Sequence, residues 1–177
     1  MVWVSQLEEM KTGQAGIDLM HRFEGCRLRP YLCPASLWTV GYGHVLYQDQ
    51  IRLPNERKNG YTGILRKEYA IRPDDSRNWT QAEVDSLFEN DLVSFERGVL
   101  RMSPNLAGSQ SRFDAIVSFS YNVGLGNYQR STLRMKNDRG DFEVAAKAFM
   151  LWTRGGGKEL PGLVKRRAAE SALYASG

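Results

Sequence analysis

The segment from Glu24 to His44 constrains the fold of this chain most strongly, because it joins a helical pattern to a strand pattern. Three apolar side chains recur at intervals of three just before it: Ile17, Met20 and Phe23. This spacing predicts the buried stripe of a short helix over residues 13–24. Gly25 predicts the end of that helix, because glycine readily takes the left-handed conformation that closes helices.

Residues 26–46 have the pattern of a small strand-rich lobe. Two short apolar and aromatic runs flank a turn: Leu28, Tyr31 and Leu32, then Pro34-Ala35-Ser36, then Trp38-Thr39-Val40. Two strands joined by this turn would let Glu24, Cys33 and Thr39 face one groove. The sequence therefore combines a carboxyl group, a thiol and a hydroxyl in one candidate site.

Glu24 stands at the predicted C-terminus of the helix, beside the apolar residues Phe23 and Leu28. The negative end of the helix macrodipole and shielding from water both favour the neutral form of a carboxyl group. A carboxyl group that keeps its proton is suited to general acid catalysis. Most single glutamates are solvated surface charges, so this role needs support from the rest of the chain.

A long helix is predicted near the middle of the chain. Thr80-Gln81-Ala82-Glu83 has the spacing of a capping box, with Thr80 as the N-cap and Glu83 three residues later. The apolar stripe that follows drifts with a 3.6-residue period: Val84, Leu87, Phe88, Leu92, Phe95 and Val99.

The C-terminal half is predicted to be helical. Pro104–Gly108 breaks the chain after the long helix, and a buried helix that ends before Asn122 follows. A glycine-flanked turn at residues 123–126 precedes a helix over residues 127–137, which stops at residues 138–140. Apolar periodicity indicates the buried faces of three helices. The helix that ends before Asn122 has Phe113, Ile116, Val117 and Ser120, and two later helices have Phe142, Ala145, Ala146 and Phe149, and then Leu163, Arg167, Glu170, Leu173 and Tyr174.

Residues 47–78 show no sustained period and contain Pro54, Gly60, Gly63 and Pro73 among many charged residues. Connections of this length are usually functional or disordered. Two interpretations stay open. One is a solvated surface insertion, which is the commoner case, and the other is an additional rim for a binding groove.

Composition argues against several classes of protein. The 177 residues carry a formal net charge of +4 with a pI of about 9.1, and 42% are hydrophobic, as in ordinary globular domains. The basic residues are not clustered in a reading motif, so nucleic-acid binding is not expected. Residues 1–11 contain no apolar run long enough for a signal peptide or a membrane span, so we expect the chain to accumulate where it is made.

Cysteine and histidine are too sparse to predict a disulfide framework or a metal site. Cys26 and Cys33 lie seven residues apart in a stretch predicted to be extended, which places them beyond disulfide distance. The two histidines, His21 and His44, are far apart in sequence. We therefore expect no metal and no cofactor.

The order Glu24, eight residues, Cys33, five residues, Thr39 and then Gly41-Tyr42-Gly43-His44 resembles the motif of the phage-type lysozymes, the endolysin muramidases of glycoside hydrolase family 24. Four later segments resemble the same family in the same order: residues 121–128, 131–133, 152–157 and 162–170. The resemblance covers nearly the whole chain except residues 47–78. Cys33 is a departure, because many relatives have aspartate at this position.

The resemblance implies an α+β, lysozyme-like fold, with a small lobe containing a β-hairpin and a larger helical lobe joined by the long helix. It implies one catalytic domain over residues 1–177, with the strand-rich lobe at about 25–78 and the helical lobe at about 80–177, packed with helix 13–24. The two lobes would flank a groove.

The function implied by the resemblance is that of a phage endolysin. Such an enzyme hydrolyses the β-1,4 bond between N-acetylmuramic acid and N-acetylglucosamine in bacterial peptidoglycan and lyses the host cell. We expect a monomer with peptidoglycan as its partner and without nucleic-acid binding or stable membrane insertion. It would stay in the host cytoplasm until a separate membrane pore protein releases it to the periplasm and cell wall.

The resemblance implies three catalytic residues. Glu24 would be the general acid, and Thr39 would hold the water that an inverting mechanism requires. Cys33 as a thiolate would stabilise or attack positive charge on the sugar, and as a thiol it would only position water. Thr39 and Cys33 also have purely structural interpretations. Threonine is common in strands, and free cysteine is often buried as a small apolar side chain.

Further roles follow from the same resemblance. It implies a set of substrate-binding residues: Tyr42, Asn122, Gly124, Ser131 and Thr132. For residues 122–132 an ordinary joint between helices is an equally good interpretation. We expect His44 to fasten the strand-rich lobe near the site through hydrogen bonds, and Trp152, Arg166 and Arg167 to pack and pair within the helical lobe.

Three other functions stay open. A lytic transglycosylase needs an acid/base glutamate but no positioned water, so Thr39 argues against it. A Cys/His peptidase or amidase would use Cys33 as nucleophile and His44 as base. A wall-binding module without catalysis usually contains short repeats, which this chain lacks.

Overall fold

The computed structural model of the protein describes residues 10–177 and has an α+β fold, which confirms the predicted fold class. Residues 1–12 have the composition of a polar lead-in, for which a short helical turn is predicted. This prediction falls mainly on residues 1–9, which lie outside the described residues. The helices are α1 Gln14–Glu24, α2 Gln48–Ile51, α3 Gln81–Met102, α4 Gln110–Val123, α5 Leu125–Gln129, α6 Thr132–Asp138, α7 Phe142–Ala148 and α8 Pro161–Ala175. The strands are β1 Arg27–Leu32, β2 Trp38–Gly41, β3 His44–Val45, β4 Arg154–Gly155 and β5 Lys158–Glu159, and short 3-10 helices cover Arg66–Glu68, Pro104–Gly108 and Phe149–Leu151.

The described chain divides into two compact units. One, here called the strand-rich unit, is Glu24–Asp91, and the other, here called the helical unit, contains the residues up to Phe23 together with Leu92–Gly177. The division falls within α3, so this helix contributes residues to both units. The predicted arrangement as a single catalytic domain stays a prediction.

The strand-rich unit is built on a three-stranded antiparallel sheet in the order β1, β2, β3. The turn between β1 and β2 contains Pro34, Ala35 and Ser36, and Ser36 takes a left-handed conformation with φ of 59°. A three-residue hairpin loop that ends in a left-handed residue is a common way to reverse a strand. Gly41 has a φ of 65°, and a Cβ there would lie 2.8 Å from Cβ of Val84 on α3. Glycine therefore allows the sheet to approach the helix closely.

Most side chains of residues 47–78 are exposed, in agreement with the interpretation as a solvated surface insertion, and a few buried residues anchor the segment. Tyr47, Gln50 and Leu65 are buried, with 2%, 0% and 4% of their surface exposed. The hydroxyl of Tyr47 donates to Asp75 at 2.6 Å, and Arg66 donates to the carbonyl oxygens of residues in and after α2. The segment lacks a sequence period because side chain-to-backbone hydrogen bonds hold it together instead of a repeating apolar face.

The core of the helical unit is aromatic. Phe119 makes edge-to-face contacts with the rings of Tyr128, Phe149 and Trp152, at centroid distances of 6.4, 5.6 and 5.5 Å. Such pairs add stabilisation beyond the area that they bury. The predicted buried positions of α4 are confirmed, because its four predicted core residues have essentially no exposed surface.

Three features of the helical unit differ from prediction. Helix α4 continues to Val123 rather than ending before Asn122. The single helix predicted over residues 127–137 is two helices, because Ser131 leaves the helical conformation and caps α6. Strands β4 and β5 form a hairpin that was not predicted, although Gly156 and Gly157 lie at its turn with φ of 57° and 79°. Two consecutive left-handed glycines are typical of a tight hairpin turn.

Across residues 10–177, every helix is too short or too polar to cross a membrane.

Candidate catalytic site

Glu24 is the last residue of α1 and is half-buried. Gly25 follows with a φ of 66°, and a Cβ there would meet no atom within 4 Å. The backbone conformation, and not the lack of space, is therefore what favours glycine at this position. This residue ends the helix and directs the chain into β1, as the sequence predicted.

The start of α1 is held by Asp114 of α4, an interaction that sequence reasoning missed. The Asp114 carboxylate accepts hydrogen bonds from the N–H groups of Gly13 and Gly16, at 2.9 and 3.3 Å. Burial raises the pKa of Asp114, which is 1% exposed. A Cβ on Gly16 would lie 2.8 Å from Cβ of Asp114, so the missing side chain permits this contact. Helix α1 is thus capped by a tertiary contact and not by a local side chain.

Cys33 and Thr39 meet at one carbonyl group. The hydroxyl of Thr39 donates to the carbonyl oxygen of Leu37 at 2.9 Å, and the backbone N–H of Cys33 donates to the same oxygen at 3.0 Å. Thr39 is 3% exposed and Cys33 is half-buried. Because a hydroxyl has one proton and two lone pairs, Thr39 keeps its acceptor capacity while its proton is directed at Leu37.

Strand alternation places Cys33 and Thr39 on the same face of the sheet. Tyr31 pairs directly with Thr39, so their side chains share a face. Cys33 lies two residues after Tyr31, and its bond to Leu37 extends the ladder by one step. The two-residue period of a strand therefore brings the thiol to the face of the hydroxyl. Two of the three predicted catalytic residues are brought together in this way.

Cys33 and Cys26 are both free thiols in this structure. Strand β1 occupies the residues between them, which confirms the prediction that this stretch is extended. The sulfur of Cys26 is exposed and accepts a long contact of 4.0 Å from the side-chain amide of Gln81.

The side chain of Gln50 holds the turn beside the site and was missed by sequence reasoning. Its amide oxygen accepts from the N–H of Trp38 at 2.9 Å. Its amide nitrogen donates to the carbonyl oxygens of Ser36 at 3.0 Å and Arg66 at 2.9 Å. The side chain is fully buried and makes three hydrogen bonds to backbone. No pattern in the surrounding sequence distinguishes Gln50 from the exposed Gln48 two residues earlier.

His44 hydrogen-bonds to the long helix. Its Nδ1 lies 2.8 and 3.0 Å from the two carboxylate oxygens of Asp91 on α3. Both side chains are partly exposed, at 22% and 32%. This contact is what a fastening role predicts, because it connects β3 to α3.

Tyr42 packs against α3. It is 8% exposed, its ring lies 5.2 Å from that of Phe88, and its hydroxyl accepts from the amide of Gln81 at 3.0 Å. Burial, followed by the nearby Cys26 and Asp85, raises the pKa of Tyr42 to about 12. Its predicted contact with substrate stays a prediction, and little of its surface is accessible.

The predicted binding residues of the helical unit have different surroundings. Asn122 is exposed, and its side-chain oxygen accepts a hydrogen bond from buried Arg167. Gly124 is the joint between α4 and α5, with a φ of 90°. Ser131 is 5% exposed and caps α6 by accepting from the N–H of Arg134 at 3.0 Å, whereas Thr132 is exposed. Ser131 and Thr132 both line an open cavity of about 480 Å³.

A buried charged cluster fixes α8 against α4. Glu170 accepts hydrogen bonds from Arg166 at 2.9 Å, from Arg167 and from the hydroxyl of Ser118 at 2.8 Å. Arg167 also donates to the carbonyl oxygen of Trp152 at 3.0 Å. All three charged residues are at most 3% exposed. The prediction that Trp152, Arg166 and Arg167 pack and pair within the helical lobe is confirmed.

Within residues 10–177, no group of three histidine, cysteine, aspartate or glutamate side chains is arranged to hold a metal ion.

Comparison with known proteins gives this site a family context. The profile of the phage lysozyme family matches residues 21–170, which include all three predicted catalytic positions. An endolysin of Bacillus phage B103 is 34% identical over 170 residues, which cover 95% of this chain and 55% of the relative. The chain therefore spans little more than half the length of that protein. An endolysin of Acyrthosiphon pisum secondary endosymbiont phage 1 is 32% identical over 171 residues, covering 94% of this chain and 99% of the relative.

Solved structures agree with the sequence comparisons. The muramidase domain of SpmX from Asticaccaulis excentricus superposes with a TM-score of 0.70 and 26% identity, covering 94% of this chain and 98% of that domain. The last turn of α1 with Glu24, the hairpin that joins Cys33 to Thr39 and the long helix α3 lie within the region matched by the family profile. With a profile match over most of its length and relatives above 30% identity, the chain belongs to the phage lysozyme family.

Proposed function

We propose that this protein is a phage endolysin that hydrolyses glycosidic bonds of bacterial peptidoglycan, with Glu24, Cys33 and Thr39 as its catalytic residues. The hydrogen bond from Thr39 to the carbonyl oxygen of Leu37 carries the proposal. It holds the hydroxyl in one rotamer and leaves its lone pairs available to accept from a water molecule. Positioned water is what an inverting glycosidase requires.

Glu24 is proposed to protonate the departing glycosidic oxygen. Cleavage then develops positive charge at the sugar carbon, and water held by Thr39 attacks from the opposite side of the ring. The bond from carbon to the departing oxygen breaks as the bond to water forms. The attacking water releases its proton to solvent, and the Glu24 carboxylate takes up a proton from solvent before the next cycle. The half-buried position of Glu24 at a helix end supports this role.

Cys33 is the third member of the proposed site. The Cys33 backbone N–H and the Thr39 hydroxyl donate to the same carbonyl oxygen of Leu37, which supports a role for Cys33 beside Thr39. That role is either a thiolate facing the positive charge on the sugar or a thiol that orients water. Comparing Cys33→Ser and Cys33→Asp separates these roles. If negative charge is required, the Asp variant keeps measurable activity and the Ser variant falls well below it, whereas equal activity of all three proteins makes Cys33 a bystander.

The bond proposed to be cleaved is the β-1,4 bond between N-acetylmuramic acid and N-acetylglucosamine. Product analysis from purified peptidoglycan tests this directly. Hydrolysis at that bond gives a free reducing end on N-acetylmuramic acid. A 1,6-anhydro end would instead identify a lytic transglycosylase, and a reducing end on N-acetylglucosamine would identify a different glycosidase.

Glu24→Gln is the matched variant for this experiment. It keeps the size and hydrogen bonding of the side chain but removes the proton that is transferred, so we expect a loss of about 100- to 10,000-fold in bond cleavage with folding retained. Thr39→Val should strongly reduce activity per folded molecule and lower the free energy of unfolding only slightly. Near wild-type turnover of the Gln variant would show that the assigned acid is wrong.

The arrangement of the sheet argues against the Cys/His amidase. His44 pairs with Val40, the neighbour of Thr39, so its side chain lies on the face opposite to Thr39 and Cys33. Three residues along β2 and two strand spacings separate the Cα atoms of Cys33 and His44 by about 14 Å. A thiol and an imidazole so placed are too far apart for proton transfer. Release of amino groups without new reducing ends would contradict this conclusion.

Release and oligomeric state are part of the proposal and are supported by family resemblance alone. We expect the protein to be a monomer that reaches the cell wall through a membrane pore formed by another protein. Expression with and without such a pore protein, followed by fractionation and measurement of lysis, tests this expectation. Lysis without any pore protein would contradict it.

A further inference from the structure

Helix α1 begins on a buried carboxylate that takes the place of a local capping box. The Ile17 N–H donates to the carbonyl oxygen of Gly13 at 3.1 Å, so Gly13 is the N-cap and Gly16 is the third helical residue. In a capping box the side chains at these two positions accept from each other's N–H groups. Both positions are glycine here, and the Asp114 carboxylate accepts from both N–H groups instead, at 2.9 and 3.3 Å.

A second carboxylate holds the residues just before the helix. One carboxylate oxygen of Glu96 on α3 accepts from the N–H of Thr12 at 2.8 Å and from its hydroxyl at 2.9 Å, and the other lies 3.3 Å from Nζ of Lys11. The side-chain amide of Gln110 donates to Asp114 at 2.7 Å and to the carbonyl oxygen of Lys11 at 2.9 Å. The start of α1 is therefore attached to both α3 and α4.

These two carboxylates do more than a helix cap requires. Asp114 and Glu96 are 1% and 5% exposed, and burying a carboxylate costs free energy because water no longer solvates its charge. A serine or aspartate at the half-buried position 13 would cap the helix without burying a charge on α4. A local cap would stabilise α1 equally well, but it would not fix where α1 starts along α4.

The other end of α1 carries Glu24, the proposed general acid. The 11 residues of the helix span about 16 Å, and an α-helix of this length is stiff. A shift at its start therefore displaces its last residue by a similar distance. A general acid must lie within hydrogen-bond reach of the oxygen that it protonates, and a misplacement of about 1 Å lowers the rate by about 100-fold.

We propose that Asp114 is a positioning residue for the reaction, and that its two hydrogen bonds to the start of α1 hold Glu24 where it reaches the departing oxygen. The inference rests on the proposed function, because it takes Glu24 as the general acid. Because Asp114 is buried, it acts through α1 and not by contact with substrate. Glu96 assists by holding Thr12, the residue from which the chain enters the helix.

The test separates the capping of α1 from its attachment to α4. Asp114→Ala removes both. Gly13→Asp/Asp114→Ala moves the carboxylate to the N-cap, where it accepts from the Gly16 N–H but no longer connects α1 to α4. The alanine also removes the oxygen that would lie 3.0 Å from a Cβ at position 13. The control is Tyr174→Phe, which deletes a buried hydrogen bond to Asn137 at 2.7 Å elsewhere in the helical unit.

Turnover of purified peptidoglycan is measured per folded molecule, and thermal unfolding gives the stability of each variant. We expect Asp114→Ala to lower kcat about 10- to 100-fold with KM within about twofold of wild type, and Tyr174→Phe to keep kcat. In Gly13→Asp/Asp114→Ala the unfolding temperature should recover in part while kcat stays low. Unchanged kcat in Asp114→Ala, or kcat that recovers when the carboxylate is moved to position 13, would overturn the proposal.

Asp114→Asn replaces Asp114→Ala if the alanine variant does not fold. Its amide keeps one acceptor oxygen for two N–H groups, so kcat should again fall with KM retained, and an unchanged kcat would overturn the proposal.

Failure of the proposed function gives a different result, since Glu24→Gln would then keep its turnover or the wild-type protein would cleave no peptidoglycan. Crystal structures of the wild type and the two Asp114→Ala variants measure the attachment independently of activity. A start of α1 that moves along α4 in both variants supports the attachment, and an unchanged position of α1 overturns it.

Discussion

The two units bury polar side chains in different ways. In the strand-rich unit the fully buried Gln50 uses a neutral amide to bind three backbone groups of nearby turns. In the helical unit Arg166, Arg167 and Glu170 form a charged cluster on α8, and Glu170 accepts a hydrogen bond from the Ser118 hydroxyl of α4. Turns leave backbone groups without ladder partners, and an amide can satisfy donors and acceptors together. Helix interiors satisfy their own backbone, so the charged groups of the cluster bond chiefly to one another, and Arg167 also binds the backbone of the segment after the last 3-10 helix.

The difference predicts unequal costs of disruption. An ion pair buried away from water is expensive to break, because the remaining charges stay in a medium that solvates them poorly. An amide that binds backbone leaves only neutral groups behind when it is removed. Substitutions at Gln50 and at Glu170 therefore test whether charge or neutral hydrogen bonding contributes more to the free energy of unfolding.

The largest effect is expected for Glu170→Gln. It removes the carboxylate to which two buried guanidinium groups donate, and we expect the free energy of unfolding to fall by about 3–5 kcal/mol. Urea denaturation measures it. The control is Glu143→Gln, which breaks the exposed pair with Lys147 at 3.0 Å and should change stability by no more than about 0.5 kcal/mol. Equal effects of the two variants would remove the distinction between the units.

Gln50→Leu should cost less, about 1–3 kcal/mol. It keeps the volume of the side chain but leaves the N–H of Trp38 and the carbonyl oxygens of Ser36 and Arg66 without this partner. Hydrogen exchange should accelerate at the turn before β2, and activity per folded molecule should fall because Thr39 lies next to Trp38. Gln48→Leu, at an exposed position of the same helix, is the control and should change stability by less than about 0.5 kcal/mol.

Most of the helices and the first hairpin were predictable because their determinants are local. The capping box at Thr80 and Glu83 is confirmed, with the Thr80 N–H donating to the Glu83 carboxylate at 2.7 Å and Thr80 Oγ1 accepting from the Glu83 N–H at 3.2 Å. Gly25 ends α1 as its conformational freedom predicts. Each of these signals depends on residues within a few positions, so one sequence is sufficient to recognise it.

Other features were missed because their determinants are distant in sequence. Asp114 caps α1 from about a hundred residues away, and Gln50 connects the turn before β2 with the 3-10 helix at Arg66. Single polar residues of this kind have no period and no local motif. The site was predictable where a motif exists, at Glu24, Cys33 and Thr39. The two hydrogen bonds that Cys33 and Thr39 donate to the carbonyl oxygen of Leu37 depend on strand register and were not predictable. The contrast follows distance along the sequence and not the division into units, since one missed contact lies in each unit.

A smaller effect is expected at the exposed start of α3. The hydrogen bond from Arg77, followed by that from the Thr80 backbone, lowers the pKa of Glu83 to about 2. Because the folded pKa is depressed, the stabilisation is present above the unfolded value of about 4.5 and is lost as pH falls through about 2. NMR titration of the Glu83 carboxylate should give a midpoint near 2, and Arg77→Gln should raise it. Thr80→Ala should cost about 1 kcal/mol at neutral pH.

The smallest effect concerns the left-handed residues, which also differ between the units. In the described helical unit every left-handed residue is glycine, whereas the strand-rich unit has Ser36 and Asn59 with φ of 59° and 54°. Ser36→Gly should therefore relieve local strain and stabilise the protein by less than about 1 kcal/mol, since the greater freedom of glycine in the unfolded chain offsets part of the gain. The bond from Gln50 to residue 36 involves the backbone carbonyl and is retained.

Gly25→Ala provides the opposite test at a φ of 66° with open space around the Cβ, and it should destabilise by about 1 kcal/mol. Thermal unfolding of both variants compares the two positions directly. If Ser36→Gly instead destabilises the protein, the serine side chain contributes to the turn and its left-handed conformation is not a source of strain. Equal unfolding temperatures for Gly25→Ala and wild type would show that the end of α1 relaxes, and the position of Glu24 would then depend on tertiary contacts more than on the conformation of Gly25.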